Sequence, residues 1–124
     1  MTRNVLIVDD NEHLRDILAA ILHSSGYEIS KASSGIEAIE KALSARPHLI
    51  LLDLDLPDMK GTAVALAIRK NAMTAHIPII GCSAFFGPEW RTEALRCGMV
   101  DYLLKPISAT LIKEKIEKFI LNDR

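Results

Sequence analysis

The chain has 124 residues, about half of them apolar and a quarter charged, and a formal net charge of −1. That is the size of one domain with enough apolar residues to bury a core, and residues 1–124 read as a single domain. The balance lacks the basic excess of a nucleic-acid binder, no apolar run nears the roughly 20 residues of a membrane span, and no signal peptide opens the chain, so the expected setting is the cytoplasm.

Val5-Leu6-Ile7-Val8 is a continuous apolar run with β-branched content, as expected of a strand buried on both faces. After Asp9-Asp10-Asn11, the residues Leu14, Ile17, Leu18, Ile21 and Leu22 follow the period of an amphipathic helix, and Gly26 suits its end. Tyr27 to Ala32 predicts a more polar strand, nearer an edge. Ser34-Gly35-Ile36-Glu37 has the capping-box form, and Ile36, Ile39, Ala42 and Leu43 predict the buried side of a second helix, stopped by Arg46-Pro47. His48 to Leu52 is the most apolar strand and so the central one.

Pro57 and Gly61 bracket a loop before an Ala-rich helix around Val64, Ala67 and Ile68. Ile77 to Cys82 predicts the fourth strand, with Pro78 tolerated near its start; Gly81-Cys82 makes it less bulky and predicts looser packing there. Pro88 suits the first turn of a helix reaching Cys97, with Gly98 as its stop. Val100 to Leu104 is a fifth strand. Leu111, Ile112, Ile116, Phe119 and Ile120 stripe the last helix, whose Lys113, Lys115 and Lys118, interleaved with Glu114 and Glu117, read as a solvated face.

Strand and helix therefore alternate five times, which predicts an α/β fold: a five-stranded parallel sheet with helices on both faces, flavodoxin-like and doubly wound. Such a sheet works at the carboxyl ends of its strands. There the sequence places Asp9-Asp10, Asp53, Ser83 and Lys105. Converging carboxylates repel one another, so a cation is needed. Lys105 supplies one charge, and Mg²⁺ suits the rest because it prefers carboxylate and carbonyl oxygens and keeps waters that bridge to phosphate. An ionised Asp53 beside it becomes a nucleophile for a phosphoryl group. Each residue also has a plainer reading: Asp9-Asp10 as a helix N-cap, Lys105-Pro106 as an exposed turn, Ser83 as a turn serine. Asp53 has none, because no helix starts there and a buried carboxylate is costly.

Asp9-Asp10, Asp53, Ser83-Ala84, Lys105-Pro106 and the segment Leu52-Asp53-Leu54-Asp55-Leu56-Pro57-Asp58-Met59-Lys60-Gly61 together resemble the receiver domain of bacterial two-component response regulators, over nearly the whole chain. The resemblance is to the chemotaxis-type, stand-alone form, although an excised domain of a larger regulator reads the same. It implies that Asp53 is the phospho-acceptor and that Asp9, Asp10, Asp53 and the backbone carbonyl of Asp55 hold Mg²⁺. It further implies that Lys105 and Ser83 contact the phosphoryl group and that Ser83 and Tyr102 form the switch. The implied donor is a phosphohistidine on a sensor histidine kinase or a histidine phosphotransfer protein. The implied output is a changed surface on the fourth helix, fifth strand and fifth helix, read by a downstream protein effector, with neither nucleic acid nor membrane insertion involved. The domain would be a signalling receiver that catalyses only its own phosphorylation and dephosphorylation.

Departures from the family pattern are an acidic Asp55, a bulky Phe85 expected to shield the acyl phosphate, and Lys60 in place of an acid before Gly61. Phe85, Phe86 and Trp90 concentrate half of the aromatic residues in one short segment, read either as a plug against the sheet or as a docking patch. Cys82 and Cys97 read as buried free thiols, and the four scattered histidines lack a zinc spacing.

Three rivals remain. Asp53-Leu54-Asp55 also resembles the Asp-x-Asp of haloacid-dehalogenase-type phosphatases, with Asp55 as general acid, but the chain has no room for a cap domain. A flavodoxin-like cofactor binder would need a Ser/Thr/Gly-rich phosphate loop where Asp9-Asp10-Asn11-Glu12 stands. A degenerate receiver acting as a scaffold would not need the complete acceptor set.

Overall fold

The structure is a computed structural model and describes residues 2–85 and 87–121, the last by its backbone alone. Ten elements alternate along the chain: β1 (Asn4–Val8), α1 (Glu12–Ser24), β2 (Glu28–Ala32), α2 (Gly35–Ala45), β3 (Leu49–Asp53), α3 (Gly61–Lys70), β4 (Ile79–Ser83), α4 (Pro88–Arg96), β5 (Asp101–Leu104) and α5 (Ala109–Leu121). The five strands form one sheet in the order β2-β1-β3-β4-β5, every pair parallel. The polar strand β2 lies at an edge and β3 at the centre, as their compositions predict.

The unbroken apolar runs of the strands follow from burial on both faces. Leu6, Val8, Ile50, Leu52 and Ile79 pack with Ala38, Ala42, Val64, Ile68 and Ala94, so α2, α3 and α4 cover one face. Val5, Ile7, Leu49, Leu51 and Ile80 pack with Leu18, Leu22, Ile112, Ile116 and Ile120, so α1 and α5 cover the other. Each fully buried aliphatic side chain stabilises the fold by roughly 1.5–3 kcal/mol relative to leaving it in water.

Local chemistry sets the helix ends. Asn11, not Asp9 or Asp10, is the N-cap of α1 and accepts from the Leu14 N–H. Ser34 caps α2 by accepting from the Glu37 N–H, while Glu37 reaches back to the Ser33 N–H. Asp58, from the loop after β3, adds a second cap by accepting from the N–H groups of Gly35 and Ile36, which hold its carboxyl below the usual carboxylate range. Gly98, at φ +93°, turns the chain out of α4. Gly61 is required for contact: a Cβ there would come within 2.6 Å of the Leu54 Cα.

Two packing expectations are corrected. The close side of α2 is made by Ala38 and Ala42 with Ile39 partly buried, whereas Ile36 is 61 % exposed and Leu43 lies at the rim. Small residues let α2 sit close to the sheet and α3, which pushes the larger ones outward. Nor is packing loose at Gly81. Met99 fills the space, with its sulfur 2.6 Å from where a Cβ would stand, and Leu54 closes the other side.

Candidate functional site

Parallel register brings the polar strand ends together. Val8 pairs with Leu52, so Asp9, the next residue, lies beside Asp53. Asp53 pairs with Cys82, Ser83 pairs with Leu104, and Lys105 follows directly. The backbone continues the ladder one step further, with the Leu54 N–H donating to the Cys82 carbonyl and the Lys105 N–H to the Ser83 carbonyl. Each apolar run ends as its strand leaves the core, so the polar residue that follows emerges at the same rim. The gap between β1 and β3 is also where the sheet order reverses, the usual crevice of this architecture.

Carboxylate oxygens of Asp9, Asp10 and Asp53 lie within 4.8 Å of one another. Asp9 and Asp53 are buried and Asp10 is exposed. The Lys105 ammonium stands 3.1 Å from Asp9 Oδ2 and 3.3 Å from Asp53 Oδ1. Asp9 Oδ1 accepts from the Asn11 N–H at 2.9 Å, and the Arg15 guanidinium donates to the Asp9 carbonyl at 2.8 Å. Asp53 Oδ1 also accepts from the Asp55 N–H at 3.1 Å. Asp53 Oδ2 accepts no hydrogen bond among the described residues.

The electrostatics are unbalanced. Burial raises the Asp53 carboxyl above its ordinary range and Asp9 adds to that, while the Asp55 N–H and Lys105 oppose it without prevailing. Burial alone would lower Lys105, but the charges of Asp53 and Asp9 outweigh it and raise the ammonium instead. One ammonium is too little for three carboxylates.

Ser83 is buried; its hydroxyl donates to Asp55 Oδ2 at 3.1 Å and accepts from the Phe85 N–H at the same distance. The Tyr102 ring is buried and its hydroxyl donates to the Phe85 carbonyl. Burial raises the Tyr102 phenol above its usual range. The Phe85 and Trp90 rings stack with centroids 5.0 Å apart, and both are substantially exposed, so they form no plug in the sheet. Phe86 lies outside the described residues. The pair walls a pocket of about 290 Å³ with Leu54, Asp55, Ser83 and Glu93. Cys82 and Cys97 are buried free thiols, and burial pushes both upward.

A second charged cluster escaped the sequence reading. Asp101, buried at the start of edge strand β5, is bracketed by Arg91 of α4 at 2.9 Å and Lys115 of α5 at 2.8 Å, and it accepts from the Tyr102 N–H. Its only signal in the sequence was an acid opening an otherwise apolar strand.

The model of the response regulator receiver domain matches residues 5–117. The polar-differentiation response regulator DivK of Brucella ovis is 33 % identical over 120 residues, covering 97 % of this chain and 98 % of its own. Among solved structures, a CheY-like receiver domain protein of Methanospirillum hungatei superposes with a TM-score of 0.92 at 28 % identity, over 99 % of this chain and 97 % of that one. The receiver domain of a Pseudomonas aeruginosa sensor histidine kinase, solved with magnesium coordinated in its active-site cleft, does so with a TM-score of 0.90 at 30 % identity, over 98 % of this chain and all of that one. None of these relatives supports the haloacid-dehalogenase alternative. The chain belongs to the response regulator receiver family, the phospho-acceptor switches of two-component signalling.

Proposed function

We propose that Asp53 is the phospho-acceptor, that it is loaded from a phosphohistidine on a sensor histidine kinase or phosphotransfer protein, and that Mg²⁺ is required. The observation that carries this reading is the unbalanced cluster, three carboxylates within 4.8 Å of one another with a single ammonium between two of them. The donors are all hard oxygens, which suits Mg²⁺ and not a soft metal. Asp9, Asp10, Asp53 and the Asp55 carbonyl would hold it, and when bound it would offset charge on the phosphoryl oxygens.

The chain's own groups supply the rest. Asp53 Oδ2 attacks phosphorus as the bond from phosphorus to the donor's imidazole nitrogen breaks, and the electron pair leaves with that nitrogen. Lys105 neutralises charge on the transferring group, and the Ser83 hydroxyl donates to one of its oxygens. Hydrolysis returns the carboxylate, so the domain catalyses its own loading and unloading and turns over no other substrate. Tyr102, whose buried ring bonds the Phe85 carbonyl through its hydroxyl, moves with Ser83 and Phe85, and the surface of α4, β5 and α5 changes for a protein effector. Phe85, at the pocket wall beside Ser83, shields the acyl phosphate from water. Phe85→Ala is expected to lose phosphate faster than the parent, read by the decay of the phosphorylated mass.

The deciding experiment is incubation with Mg²⁺ and acetyl phosphate followed by intact mass. The parent is expected to gain one phosphoryl group and Asp53→Asn none. Equal gain in both proteins would remove Asp53 from the role.

A further inference from the structure

The side chain of Asp55 has no part in the chemistry above, which uses only its backbone. Yet its Oδ2 accepts a hydrogen bond from the Ser83 hydroxyl at 3.1 Å. A serine has one proton to give, so while Asp55 holds it no phosphoryl oxygen can. The same Ser83 oxygen accepts from the Phe85 N–H. The Phe85 carbonyl accepts from Tyr102 on β5, and the Phe85 ring stacks on Trp90 of α4. A continuous run of contacts thus joins Asp55 to α4 and β5, two of the three elements of the output face, through Ser83 and Phe85.

We propose that Asp55 is a positioning residue, a latch whose carboxylate holds the Ser83 hydroxyl until a phosphoryl group displaces it. The inference rests on the reading of Asp53 as acceptor and Ser83 as the sensing hydroxyl. The Asp55 N–H is bonded to Asp53 Oδ1, so the latch is anchored beside the acceptor itself. A phosphoryl group arriving there brings negative charge next to the Asp55 carboxylate and competes for the same proton. Asp55 is exposed, so once displaced its carboxylate can be solvated. Repulsion at the acceptor is thereby converted into release of Ser83, and Phe85 carries the change to Tyr102 and Trp90.

Trp90 is the single tryptophan of the chain, so its emission reports on the Phe85 stack. The first measurement uses an Asp53→Asn background, in which no phosphoryl chemistry takes part. There Asp55→Ala is expected to shift Trp90 emission in the same direction as Ser83→Ala. The double variant should shift no further than Ser83→Ala alone, and Asp55→Asn, which keeps an acceptor oxygen, should stay with the parent. Emission unmoved by Asp55→Ala, additive shifts in the double variant, or an Asp55→Asn shift as large as that of alanine would each overturn the latch. The second measurement restores Asp53 and adds Mg²⁺ and acetyl phosphate, with loading followed by mass. The phosphorylation-induced change in emission should be smaller in Asp55→Ala than in the parent, because the latch is already open, and an equal change counts against it. If the parent takes up no phosphoryl group, the acceptor reading fails on its own account, while the first measurement still decides whether Asp55 holds Ser83.

Discussion

Among the described residues, aspartates are buried in two places, and they are balanced in opposite ways. At β5, one carboxylate, Asp101, lies between two cations, Arg91 and Lys115. Burial alone would raise it, but Lys115, the Tyr102 N–H and Arg91 together hold it below the ordinary carboxylate range. At the carboxyl rim, three carboxylates cluster around one ammonium that pairs with two of them, Asp9 and Asp53, and Asp53 is held above that range. The first cluster is complete and ties α4 and α5 to an edge strand. The second is short of positive charge. Burial of charge is common to both, so burial does not mark a working site; the missing counter-charge does, because it leaves something to be bound.

The comparison can be broken by substituting one aspartate in each place. Asp53→Asn is expected to abolish phosphoryl uptake from acetyl phosphate, whereas Asp101→Asn keeps it, both read by intact mass. Parity between them would erase the distinction.

Adding Mg²⁺ sharpens it. The parent should gain about 2.7 kcal/mol of stability when the ion is present at about 100 times its dissociation constant. Urea unfolding with and without the ion should show the same gain in Asp101→Asn and most of it lost in Asp9→Asn.

Without the ion, Asp101→Asn is expected to cost about 1–3 kcal/mol, since a charge-assisted contact is lost on each side of a buried group. Denaturant midpoints at neutral pH test this.

The smallest effects lie in pH dependence, and their signs differ. A carboxyl held low when folded contributes stability above its unfolded value and loses it as pH falls through its folded value. The deficit of Asp101→Asn should therefore vanish in acid. A carboxyl held high must ionise against burial as pH rises from the ordinary range to its folded value, so stability is lost across that window. In Mg²⁺-free buffer, Asp53→Asn should gain on the parent as pH climbs through it. Two curves with the same sign would contradict the assignment.

Much of this was legible from the chain alone. The alternation of apolar runs and helical stripes determined the number of elements, the parallel sheet and the central place of β3, because burial on both faces leaves a strand no polar positions. That Asp9, Asp53, Ser83 and Lys105 each follow such a run determined that they share one rim. Tertiary structure alone decided the remainder. The faces of α2 depended on how closely alanines let it approach, which spacing does not encode, so Ile36 lies outside despite fitting the stripe. The space at Gly81 is filled by Met99, distant in sequence. The ion pairs of Asp101 and the hold of Asp55 on Ser83 join residues from separate elements. A side-chain partner is a matter of distance in the folded molecule, and hydrophobic periodicity records only which side of an element faces away from water.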